Sequence, residues 1–189
     1  MSNEYIRLPK YPVAPALAPI TEHRHPPAGV RVVAEVIDHD NYSNMDEPVH
    51  LILYVNRQGL SIVDAMDYTL NDGTREYFCV QFDVPFEFLA WFPRTLHLYR
   101  SPQSPYERIE TPPESVAGEM LVLYRTMSIG PEGTPGYGVL NLSRARDYNY
   151  KPGIYFRPQD MMLGEAFLFE GGFLKVIEDL RDQWQNGTL

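Results

Sequence analysis

The chain has 189 residues, 44% of them hydrophobic and 22% charged, a balance that excludes a mainly disordered or fibrous protein and fits one soluble domain. Sixteen Lys and Arg against 25 Asp and Glu leave a formal charge of -9, which disfavours nucleic acid and anionic membranes as partners. The departures from ordinary composition are 17 prolines and 13 tyrosines.

Arg7, Lys10 and several prolines interrupt the first twenty residues, so the apolar run of a cleaved export signal is absent. No stretch approaches the roughly 18 apolar residues of a membrane span. The single cysteine, Cys79, lies in Tyr77-Phe78-Cys79-Val80, the pattern of a buried strand rather than of a reactive thiol. The expected location is the cytoplasm, or a particle assembled inside the cell.

Residues 1–29 contain Pro9, Pro12, Pro15, Pro19, Pro26 and Pro27, a spacing through which neither a helix nor a central strand can run. They are expected to form an extended arm on a single domain of residues 30–189. Alternating apolar residues predict strands at 30–37 and Val49–Val55, joined by a polar loop. A helix is expected from Ser61, read as its cap, through IVDAMDYTL to the stop Asn71-Asp72-Gly73. Strand character returns over 74–82. Asp83 is expected to cap a short aromatic helix closed by Pro93, followed by a strand at 95–99 and a Pro/Ser loop over 101–118. Strands at 119–127 and 137–142 flank the turn sequence GPEGTPG and are expected to pair, with another short strand at 153–157. Phe173, Ile177, Leu180 and Trp184 recur at helical spacing and predict a C-terminal amphipathic helix. No internal repeat is visible. The expected class is α+β: a single antiparallel or mixed sheet of about six strands, packed by the C-terminal helix and one or two shorter ones.

His23 and His25, one residue apart on extended chain, can point to the same side, and His39 could complete a metal set. No HExxH and no paired cysteines accompany them, so no metal site is favoured. Asp64 and Asp67 at i, i+3 read as the solvated face of the predicted helix. There is no G-x-S-x-G and no phosphate-binding loop, and no cofactor is expected. An alternative enzyme reading would need a pocket lined by Phe86, Phe88, Trp91 and Phe92, with the histidines holding a metal.

The remaining excess is tyrosine. Tyr42, Tyr106, Tyr137, Tyr148 and Tyr150 all read as loop residues beside polar, Pro or Gly neighbours, where large rigid side chains serve recognition. The expectation is a non-enzymatic protein that binds another protein through its arm and these tyrosines. It would be a homo-oligomer or a subunit of a larger assembly, such as a viral or phage particle; an accessory chaperone or immunity protein is the alternative.

Overall fold

The computed structural model describes residues 8–38, 49–70, 72–101, 110–129 and 133–189, and the fold is mixed α+β. Branched and aromatic residues in alternation form a four-stranded antiparallel meander of β1 (Arg31–Asp38), β2 (Val49–Val55), β3 (Leu60–Thr69) and β4 (Arg75–Val84). Helix α1 (Phe88–Arg100) follows. A second antiparallel meander comprises β5 (Glu114–Val116), β6 (Glu119–Ile129), β7 (Thr134–Ala145) and β8 (Pro158–Gly164), and is followed by α2 (Glu165–Phe169) and α3 (Phe173–Gln185). The topology is thus a repeated meander-plus-helix in a sequence without a visible repeat. It also replaces the expected single sheet by two.

One hydrophobic core joins both sheets and the helices. Leu53, Ile62 and Phe82 enter it from the first sheet, Leu121, Leu123 and Val139 from the second, and Phe92, Phe167 and Ile177 from α1, α2 and α3. Gly172, at φ 85°, takes the left-handed conformation that turns the chain into α3.

The stretch 61–69 is a strand and not a helix. Ser61 is not a cap but is buried, donating to Asp83 Oδ1 at 2.7 Å. Ile62 and Met66 face the main core. Val63 and Ala65 face the other side, where Ile52, Tyr54 and Ile20 cover them. A strand buried on both faces reads as apolar all round, and this imitates a helical stripe.

Helix α1 runs through Pro93 and absorbs the strand expected at 95–99. Proline cannot donate to the carbonyl of Leu89, a local loss offset by burial of Phe88, Leu89, Trp91, Phe92 and Leu96 along one face. Asp83 caps nothing, since it lies within β4. The strand expected at 153–157 is a turn followed by extended chain, and β8 begins at Pro158. Among the described residues no helix is long and apolar enough to cross a membrane.

Candidate functional site

A proline-rich segment has few internal hydrogen bonds, so its backbone groups need partners elsewhere. Between Ala14 and His23 those partners come from both sheets. The Ala14 amide donates to Ser143 O at 2.7 Å, and Arg144 Nη1 donates to Pro15 O at 2.8 Å. Gln81 receives the Ile20 amide on Oε1 at 2.7 Å and donates Nε2 to Ala18 O at 3.3 Å. Further along, Cys79 Sγ donates to Ile20 O at 3.2 Å and Tyr54 OH donates to His23 O at 2.6 Å. Leu17 and Ile20 are buried. Burial raises the Cys79 thiol above its ordinary pKa, which fits a structural rather than a reactive role.

Beneath this segment runs a buried polar seam. Arg144 holds Glu119 through two bonds, Nε to Oε2 at 2.8 Å and Nη2 to Oε1 at 2.5 Å, and Asn141 adds a third to Oε2 at 2.6 Å. Asp83 Oδ1 accepts from Ser61 and from Gln81 Nε2, both at 2.7 Å.

Two clefts open beside the seam and share Ala145, Asp147 and Tyr150 as walls. The larger, of about 620 Å³, lies between residues 8–16 and the turn after β7, with Tyr148, Tyr150 and Pro152 on the turn side. The smaller, of about 460 Å³, is walled on the far side of Tyr150 by Ile154, Tyr155 and Arg157. Large apolar side chains line both in the open: Leu8 is 67% exposed, Tyr155 56%, Ile154 44% and Val13 38%. Tyr150 is held edge-on against Phe156, with ring centroids 5.3 Å apart. Tyr148 turns its hydroxyl inward to Gln81 O at 3.3 Å, and burial beside Asp83 raises its pKa.

The sequence-derived candidates therefore separate. Tyr148 and Tyr150 stand together at the larger cleft. Tyr137 is not in a loop: it lies within β7, is 4% exposed, and packs edge-on against Tyr99 and Phe169 with Arg125 over its ring. Tyr42, Tyr106 and His39 lie outside the described residues. Among the described residues no group of three or more candidate metal ligands meets. The His23 Nδ1 is instead 2.6 Å from Tyr77 OH, and its ring stacks with those of Tyr77 and His50. Desolvation, helped by the charge of Arg24, lowers its pKa and favours the neutral ring. Phe88, Trp91 and Phe92 are buried in the main core, and Phe86 packs partly buried against it.

Two further groups stand out in the structure. Tyr155 was assigned to a strand that does not form, although its place between Ile154 and Phe156 next to Pro152-Gly153 marks an aromatic turn. The spacing of the expected helix places Asp64 on a solvated surface beside Asp67. As a strand residue it shares the face of Ile62 and Met66 and lines a partly open cavity between the sheets, while Asp67 stays outside, 3.1 Å from Arg24. The alternation Ile62, Asp64, Met66 carried that signal. No known protein family, curated protein or solved structure matches the chain.

Proposed function

We propose that the chain is a non-enzymatic protein-interaction protein that docks an extended segment of its partner in the two clefts around Tyr150. In this reading residues 30–189 form one domain closed by the C-terminal helix, and residues 1–29 are an arm. The inner part of the arm is a fixed piece of the body, and only its outer part, with Leu8 and Val13, forms a lip of the docking surface.

The observation that carries the reading is the concentration of exposed apolar side chains on both sides of one tyrosine. Single exposed apolar residues are ordinary, but a contiguous patch lining concave surface marks an interaction site. Tyrosine, proline and leucine walls suit extended peptide, whose side chains alternate between neighbouring pockets. The overall charge of -9 favours a partner segment that carries a basic residue. A subunit of a larger assembly would use such a surface.

A photo-crosslinking amino acid placed at Tyr150 or Tyr155, in cells that make the protein natively, tests this. Discrete adducts from both positions, and none from the exposed Lys175 on α3, are expected. No adducts, or the same adducts from all three positions, would overturn it.

A further inference from the structure

A third cavity, of about 400 Å³, lies between the core-facing sides of the two sheets. Its apolar walls include Ile62, Phe78 and Phe82 from the first sheet and Ile129 and Met161 from the second. Among the described residues the charged groups facing it are Asp38 on β1, Asp64 on β3, Asp160 on β8, Arg146 after β7 and Arg157 before β8. Arg146 is engaged with Asp160 at 2.9 Å, and Arg157 is on the exposed side, where it also lines the smaller cleft.

Asp64 is anomalous in this setting. Its Oδ1 is shielded from solvent and has no hydrogen-bond partner among the described residues. A buried carboxylate oxygen without a donor is costly and rare, and it calls for a partner or for protonation. Burial, followed by the charge of Asp38, lifts the Asp64 pKa to about 6. A cation brought to it would relieve both effects.

We propose that this cavity binds a small organic cation, an amine with an apolar body, and that Asp64 is its counter-ion. The volume lies within the range of small-molecule sites. With Asp160 paired to Arg146 and Arg157 on the exposed side, Asp64 selects a cation over an anion. Phenyl walls accept an apolar body and offer ring faces to an ammonium group. A bare metal ion is a poorer fit, because among the described residues no group of three or more His, Cys, Asp or Glu comes together to hold one, and Ser128 is the one neutral oxygen among the lining side chains named for this cavity. This proposal does not depend on the docking surface at Tyr150.

The test titrates the full-length protein with primary amines from methylamine to phenethylamine and tryptamine, each beside its neutral alcohol, and follows methyl NMR signals of Ile62, Ile129 and Met161. Saturable binding of an aryl or alkyl amine is expected, at least tenfold tighter than its alcohol. Asp64→Asn should weaken it at least tenfold, and the surface variant Asp67→Asn should leave it unchanged. If Asp64→Asn does not fold, the wild-type protein still decides, because amine affinity must fall as the pH drops from 7.5 to 5 and Asp64 takes up a proton. Absence of binding by every amine, equal binding of the alcohols, or undiminished binding to Asp64→Asn would overturn the proposal.

Discussion

Asn141 and Gln159 stand opposite each other on β7 and β8, and together they satisfy the backbone of Asp83 on the edge strand of the other sheet. Asn141 Nδ2 donates to Asp83 O at 2.9 Å, and Gln159 Oε1 accepts the Asp83 amide at 2.7 Å. Two side-chain amides thus do for β4 at this point what a neighbouring strand would do, and they tie the two meanders into one body.

Replacing Gln159 by Leu leaves the buried Asp83 amide without an acceptor, at an expected cost of about 1–3 kcal/mol. Asn141→Leu should cost a similar amount by orphaning the carbonyl and one bond to Glu119. Because both residues serve Asp83, the double variant should lose less than the sum of the two. Urea denaturation of the two single variants and the double variant measures this.

Arg144 joins the buried Glu119 to the carbonyl of Pro15. Arg144→Met should destabilise the fold by about 3–5 kcal/mol, since it leaves a buried carboxylate without its cation. Adding Glu119→Leu should restore much of that loss. Both variants should cut faster in residues 8–16 under limited proteolysis, because each lacks the bond to Pro15 O.

Ile20 covers the outer face of the first sheet against Ile52, Tyr54 and Val63. Ile20→Ala should cost about 2–5 kcal/mol, the range of large-to-small changes in a packed core. A free arm would tolerate the change with no shift in the denaturation midpoint.

Asp64 gives a pH dependence of defined sign. Its folded pKa of about 6 lies above the ordinary 3.8, so the native state binds the proton more tightly than the unfolded chain. The fold gains stability from this group as the pH falls from above 6 to below 3.8. At pH 8 the ionised group carries a penalty of up to about 3 kcal/mol. Asp64→Asn should therefore be more stable than wild type at pH 8 and indistinguishable from it at pH 4, as read from thermal melts at both pH values.

Strands with one polar face or strong branching were legible in the sequence: β2, β4, β6 and β7 were all expected near their observed places. The failure at residues 61–69 comes from burial on both sides. Residues 61–69 lost their alternation because Ile20 covers the second face, and no local pattern reports a cover arriving from forty residues away. Tyr137 was misplaced because Gly136 and Gly138 resemble a loop. In the fold they let Leu163 O and the Tyr124 ring approach to 2.3 Å and 2.1 Å of where a Cβ would stand, so these are strand glycines required by close packing. Tyr148 and Tyr150 were legible as candidates from their polar, turn-rich surroundings. Their juxtaposition with Leu8 and Val13 was not, because it depends on where the proline-rich segment crosses β7.

The most direct test of the docking account is to screen a displayed library of extended random peptides against the folded protein and against Tyr150→Ala. The account predicts convergence on a short motif with alternating apolar residues and a basic residue, whose binding falls at least tenfold in Tyr150→Ala. No convergent motif, or a motif that binds Tyr150→Ala as tightly as the parent, would contradict it.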